Sequence, residues 1–427
     1  MTLCEVRNSS DEFVLFNMKL AAKHGHQMAQ MVDIYSQYCP QALSMKRFID
    51  FGTKTGTERS SFEFLRRELP VRLANIMKEM NQLPEPLLHL PSVGMVSSWY
   101  RMSFGEILSF ESADSTNLDT LVSFADTLVK IRNRHANVVE TMAQGVMELK
   151  DRFGPDSMDT TIQYFLDRFY ISRISIRMLI NQHALLYGSQ LGNHPRHIGC
   201  IDPKCNVLEV VKDAYENARF LCEQYYLASP EVDIKVFNKQ DDEEYVSIVY
   251  VPSHLYHMLF ELLKNALRAV VEYHPIDSTL PKIKVYICKG KEDLTIKIGD
   301  QGGGITHNKI NTLFEYMYST APRPSSAESG SAPLAGYGYG LPLSRLYAQY
   351  FQGDLIITSM EGYGSDALIY LKVLSNEANE CLPVYNTTSL KMYESDPVVS
   401  DWTSPQRHPN QSRTFSTLAS RNSRTRS

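Results

Sequence analysis

The sequence predicts an α+β fold, an N-terminal bundle of antiparallel helices followed by a mixed α/β domain. Three observations carry that expectation. Apolar residues recur three and four apart from about Ser61 to Leu186, with no alternating strand signal between them. Beyond Gly199 the period changes: Ile283, Val285, Ile287 and Leu294, Ile296, Ile298 alternate on either side of a turn at Gly290, a β-hairpin pattern. A length of 427 residues also exceeds one domain at roughly 100–200 residues each.

The elements follow in order. Residues 1–30 read as a poorly ordered segment, 31–195 as the bundle, 196–376 as the α/β domain and 377–427 as a largely flexible tail. Leu118–Phe153 and Ile162–Leu186 are the clearest helical stretches. Val207–Tyr226 reads as a helix, Asp233–Phe237 and Tyr245–Val251 as extended, and a further helix runs from Ser253 and must stop before Pro275. After the first hairpin comes a Gly/Ser/Ala/Pro-rich loop over about Thr320–Gly340, a length that marks function or disorder. A helix over Leu343–Phe351 with Gly353 as its C-cap precedes a second hairpin, Asp354–Thr358 with Ala367–Val373. The last stretch, Thr403–Ser427, is Ser/Thr/Arg/Asn-rich without an acid.

Composition excludes several classes. Lys and Arg number 43 against 48 Asp and Glu, a net charge of −5, which argues against nucleic acid or an anionic membrane as the main partner. No apolar run approaches the ~18 residues of a transmembrane span. The seven cysteines are scattered and never spaced C-x-x-C, so neither a disulfide framework nor a zinc ribbon is expected. The N-terminus reads as neither a secretory signal nor a good mitochondrial presequence, because Glu5, Asp11 and Glu12 interrupt it.

Familiar nucleotide signatures fail. No G-x-x-x-x-G-K-[ST] occurs, and Gly336-Tyr337-Gly338-Tyr339-Gly340 has Leu341 where G-x-G-x-x-G needs its last glycine. Asp50-Phe51-Gly52 spells DFG, but no H-R-D loop precedes it. What remains is an ordered set of four pieces. His257, Glu261 and Asn265 are spaced i, i+4, i+8 on one helix face, with Lys264 and Arg268 beside them. An Asn carbonyl suits Mg²⁺, a carboxylate one turn away can act as general base, and a neighbouring histidine can tune it. The same stripe also fits the solvated face of an amphipathic helix. Second, Asp300-Gln-Gly302-Gly303-Gly304 follows a strand, where glycines admit a ligand and the Asp can accept from an adenine amino group. Third, Gly336–Leu341 opens a helix whose free N–H groups offer a phosphate cradle. Fourth, Ser365, in a Gly-Tyr-Gly-Ser turn, stands where it can reach back toward Asp300.

This succession resembles the ATP site of the GHKL superfamily of gyrases and histidine kinases, whose Bergerat-type α/β sandwich is then the expected second domain. Leu313-Phe-Glu-Tyr-Met-Tyr-Ser319-Thr320, Pro333–Pro342 and Tyr350-Phe-Gln-Gly-Asp354 are similar to the pyruvate dehydrogenase kinase family. So are Pro70–Lys78, Lys130–His135 and Tyr164–Tyr170 in the helical half, and the resemblance runs from about Tyr35 to Trp402. It implies a mitochondrial matrix enzyme that uses ATP and Mg²⁺, with K⁺ as a further ion. Its protein substrate is then a serine on the α-subunit of the decarboxylase component of the pyruvate dehydrogenase complex. It also implies a homodimer docked on the lipoyl domain of the dihydrolipoyl acetyltransferase core.

Carried over, Glu261 is the base with His257 its neighbour, Asn265 holds Mg²⁺, and Asp300 reads adenine. Lys264, Arg268, Gly302, Gly304 and Ser365 line the nucleotide site, and Ser319, Thr320 and Gly336–Leu341 form the lid and phosphate contacts. Tyr100, Ser103, Arg132 and His135 match a regulatory pocket for pyruvate-like carboxylates, although an interhelical ion-pair network fits those residues too. Leu43, Phe48, Phe51 and Phe64 match the apolar pocket for the lipoyl-lysine arm, supported by Asp401 and Trp402 of the tail; a plain core stripe fits the aromatics as well. Two neighbouring readings stay open, a branched-chain 2-oxoacid dehydrogenase kinase and a histidine kinase. The second needs an acceptor His before an acid, and none of the 12 histidines has one.

Overall fold

The computed structural model describes residues 28–154, 160–188, 195–238, 246–275, 279–318 and 338–394. The helical half begins with α1 (28–35) and α2 (Met45–Asp50), which runs into a π turn over Phe51–Thr55. Then follow α3 (Glu58–Met80), the short α4 (Glu85–Leu88), α5 (Pro91–Leu108), α6 (Leu118–Arg134), α7 (Val138–Phe153) and α8 (Thr160–Tyr187). Reciprocal bonds between Thr57 and Ser60 form a capping box that starts α3. The α3 helix packs on α5 and α8, α6 on α8, and α5 on α7, around Phe62, Phe110 and Phe124 in edge-to-face contact. The single stretch expected over Leu118–Phe153 is two helices. Arg132 and Arg134 complement the dipole of the last turn of α6, and His135 is its C-cap, so the chain breaks where a buried histidine turns inward.

The second half contains β1 (Asp202–Asn206), α9 (Val207–Tyr226), β2 (Val232–Asn238), β3 (Ser247–Tyr250) and α10 (Pro252–Tyr273). The first hairpin is β4 (Ile283–Lys289) with β5 (Asp293–Gly299); α11 (His307–Ile310), α12 (Gly340–Tyr350), β6 (Asp354–Met360), β7 (Gly364–Lys372) and α13 (Thr387–Glu394) follow among the described residues. Five strands form one sheet in the order β2-β4-β5-β7-β6, parallel only between β2 and β4. Alternation puts Ile283, Val285, Ile287, Leu294, Ile296 and Ile298 on the buried face, against which α10 and α12 pack. Helices on one side of a mixed sheet are the α/β sandwich the motifs implied.

Three expectations change. β1, unpredicted, pairs antiparallel with β3 in a separate two-stranded sheet; its polar sequence and irregular register hid it from a period-2 reading. Residues 377–394 are packed rather than a flexible tail. Glu380 is fully buried against Arg72 of α3, a partner 308 positions away that no local pattern reveals. Gly353 does not cap α12 in the left-handed region; Gln352 takes that conformation, with φ +63°. A Cβ on Gly353 would come 2.2 Å from the Tyr370 carbonyl, so glycine is there for close approach to β7.

Candidate active site

Pro252 starts α10 and His274-Pro275 ends it, fixing which residues face the sheet. Leu255, Met258, Leu259, Leu262, Leu263 and Leu267 are buried, and the opposite stripe brings His257, Glu261 and Asn265 onto one face, as their spacing required. Asn265 is exposed one turn beyond Glu261. His257 is pushed below the usual imidazole range by burial, with the Glu261 carboxylate opposing that shift. Its ring lies 4.9 Å from that of Tyr347 on α12, a contact with no signal in the sequence.

Lys264 and Arg268, expected to line the nucleotide site, each have a partner on their own helix. Lys264 donates to Glu261 Oε1 at 2.8 Å and sits 5.4 Å over the Phe260 ring, so within the chain it steadies that carboxylate. Arg268 likewise pairs with Glu272 at 2.8 Å, and Tyr226 donates to the same carboxylate oxygen at 2.6 Å. The other Glu261 oxygen is held by shape. A Cβ on Gly340, the first residue of α12, would come 2.1 Å from Glu261 Oε2. The carboxylate therefore abuts the N-terminal turn of α12, where free N–H groups and the positive dipole end face the site.

At the end of β5, Asp300 is pushed upward chiefly by burial, offset by two backbone donors. Gly302 N donates to Oδ1 at 2.8 Å and Ser365 N to the same oxygen at 3.3 Å, so neither bond uses Oδ2. Asp300 N in turn donates to the Ser365 carbonyl at 2.9 Å. Ser365 thus reaches Asp300 through its backbone, while its hydroxyl pairs with Ser359 at 2.9 Å. Gly304 has φ +69°, and an added Cβ would meet the Met360 carbonyl at 2.0 Å, which explains glycine there. Gly338, Tyr339, Gly340 and Leu341 border the site at the start of α12; Ser319, Thr320, Gly336 and Tyr337 lie outside the described residues.

In the bundle, the four expected anion-site residues converge in part. The Tyr100 and His135 rings are 4.6 Å apart, and Ser103 Oγ lies 3.0 Å from His135 Nε2. Burial pushes His135 down to about 4, so it is neutral. Arg134, not Arg132, makes the ion pair, with Glu106 at 2.7 Å. Arg132 Nε, Arg173 Nε, Arg177 Nη1 and Tyr100 Oη are buried with no hydrogen-bond partner. Burial, then Arg173 and more weakly Arg132, pull the Arg177 pKa down, the mark of clustered cations. Arg173 and Arg177 escaped the sequence reading, although their i, i+4 spacing on α8 was a usable signal. Leu43, Phe48, Phe51 and Phe64 do share one cavity, of about 360 Å³, between α2, the π turn, α3 and α8. Beside it, a Cβ on Gly52 would meet Ile198 at 2.3 Å, so glycine stands in the DFG letters for close packing. Asp401 and Trp402 lie outside the described residues.

Residues 250–375 match the family described as histidine kinase-, DNA gyrase B- and HSP90-like ATPase. Residues 42–202 match the one described as mitochondrial branched-chain alpha-ketoacid dehydrogenase kinase. Among curated relatives, the human pyruvate dehydrogenase (acetyl-transferring) kinase isozyme 3 is 55% identical over 89% of this chain and 94% of its own. The Drosophila melanogaster pyruvate dehydrogenase (acetyl-transferring) kinase is 55% identical over 91% and 95%, and human isozyme 1 is 54% identical over 90% and 89%. The chain belongs to the pyruvate dehydrogenase kinase family. Membership in that family and the ATPase match account for the α/β sandwich and for a nucleotide site without a P-loop. Among the described residues no helix is long and apolar enough to cross a membrane.

Proposed function

We propose that this protein is a mitochondrial serine kinase that uses MgATP to phosphorylate the decarboxylase α-subunit of the pyruvate dehydrogenase complex, and so inactivates it. The observation that carries this reading is Glu261, fixed by Lys264 on one oxygen and by the Gly340 turn on the other, with Asn265 one turn on. Phosphoryl transfer asks mainly for positioning and charge neutralisation. Glu261 takes the proton of the incoming serine hydroxyl; His257, neutral in its buried setting, leaves that carboxylate free to accept it. Asp300 Oδ2 accepts from the adenine amino group, and the N–H groups opening α12 hold phosphate oxygens.

Among the described residues no group of three or more His, Cys, Asp or Glu forms a metal site. Mg²⁺ needs few protein ligands: Asn265 would supply one hard oxygen, with phosphate and water for the rest, and the ion would neutralise phosphate charge. K⁺ is a further ion of this reading. Tyr100, Ser103, Arg132 and His135, joined by Arg173 and Arg177, form the pocket for a pyruvate-like carboxylate, supported by buried guanidinium nitrogens without partners. The cavity lined by Leu43, Phe48, Phe51 and Phe64 takes the lipoyl-lysine arm of the acetyltransferase core, with Asp401 and Trp402 completing the docking. A homodimer is supported by Phe237, Ile356 and Met360, exposed on the sheet face away from the helices. The matrix is the compartment where that complex would be met.

Glu261→Gln tests the mechanism. Transfer should fall by about 10²–10⁴-fold while ATP affinity holds. An active variant removes Glu261 as base.

A further inference from the structure

α12 meets the face of α10 that carries His257 and Glu261 at two points. Its first residue, Gly340, abuts the Glu261 carboxylate, and two turns later Tyr347 lies on the same side of the helix. The half-buried Tyr347 ring stands 4.9 Å from the His257 ring, tilted by 58°. It also stands 4.7 Å from the ring of His254, one turn earlier on α10, so one phenol covers two imidazoles. Both have a buried nitrogen, Nε2 of His257 and Nδ1 of His254, with no hydrogen-bond partner among the described residues. The last torsion of a histidine is broad, so a ring without hydrogen bonds is oriented only by what packs on it. Tyr347 is that contact.

We infer that Tyr347 is a positioning residue for phosphoryl transfer, its ring fixing the His257 imidazole one turn from Glu261 and keeping water from it. The inference rests on the kinase reading given above. Burial pushes His257 below the usual imidazole range, supported by Lys264 and opposed by Glu261 on its own helix. Burial, then His257 and Arg177 of α8, push His254 down to about 3. Tyr347 and Tyr350 of α12 complete the groups facing the pair. A neutral His257 leaves the Glu261 carboxylate free, whereas a protonated one would pair with it and oppose its uptake of the serine proton.

The test is transfer to the decarboxylase α-subunit by the full chain, followed as kcat and KM across pH. Tyr347→Ala opens space beside His257 and admits water. The acid limb of kcat should then move to higher pH, toward the ordinary imidazole value of 6.5, while KM for ATP holds. Tyr347→Phe keeps the ring and should keep the wild-type limb. Titration of the nucleotide is common to all these proteins and cancels in the comparison. Tyr347→Leu, which retains apolar bulk without a flat face, carries the test if the alanine variant does not fold. Its kcat should fall about tenfold, part of the roughly 10²–10⁴-fold that general acid–base catalysis supplies, at unchanged KM for ATP. An acid limb unmoved in Tyr347→Ala, one moved equally in Tyr347→Phe, or wild-type kcat in Tyr347→Leu overturns the inference. A wild-type protein that transfers no phosphate overturns the kinase reading, and this inference with it.

Discussion

Glu261 is built from both sides. A lysine three residues on holds one oxygen at 2.8 Å, and a glycine 79 positions later leaves room for the other. Gly340→Ala therefore puts a methyl 2.1 Å from Oε2 and must displace the carboxylate. Misplacement of a reacting group by about 1 Å costs on the order of 10²-fold in rate. The expected result is a folded protein with near-normal ATP affinity and turnover lowered by about that factor, measured by steady-state transfer. Wild-type turnover would mean that the carboxylate has slack. The helix face carrying His257, Glu261 and Asn265 was legible in the sequence, because period 3.6 alone fixes it. The intrachain partners of Lys264 and Arg268 were not, since side-chain pairing within one helix follows from rotamers and burial. The hydrogen bond between Ser61 and His183 was likewise invisible, because it depends on tertiary neighbours, whereas Arg173 and Arg177, four apart on α8, left a signal in the sequence.

At the scale of elements, α12 joins the two halves. Its first residue abuts Glu261, and its last, Tyr350, donates its hydroxyl to Glu380. Glu380 also takes two bonds from Arg72, at 2.9 and 2.8 Å, and one from Leu43 N at 2.9 Å. Arg72 also donates to Glu68 at 2.8 Å and to the Gln41 and Ser175 carbonyls at 2.9 and 3.3 Å, so one buried guanidinium ties α3, α8 and the segment before α2 to the stretch after β7. Removing one member of such a network strands buried charge, at about 3–5 kcal/mol. Arg72→Met should lower stability by that amount in urea unfolding; a loss below about 1 kcal/mol would mean that the network is solvated. Hairpins and long helices were readable from alternation and spacing. The break between α6 and α7, the strand β1 and the packed residues 377–394 were not, because each depends on partners remote in sequence.

Across the whole molecule, the histidines His135, His183, His254 and His257, all pushed below the usual imidazole range by burial, make folding depend on pH. His135 and His183 are both held down to about 4 by burial. Between pH 6.5 and 4 the unfolded chain binds a proton at each that the folded chain does not, so stability is present above 6.5 and falls as pH drops. Each contributes a slope of about 1.4 kcal/mol per pH unit in that window. Urea midpoints across it should show His183→Phe with a shallower fall than the wild type; parallel curves would mean that His183 titrates normally when folded. The same fold brings together a nucleotide site, a cationic pocket and an apolar cavity, joined by α8, α10 and α12. What that assembly does is decided by where phosphate goes. Incubated with labelled MgATP and the decarboxylase component, the protein should leave acid-stable phosphoserine on the α-subunit and none on itself. Acid-labile phosphohistidine on the chain, or no transfer to the α-subunit, would contradict the account.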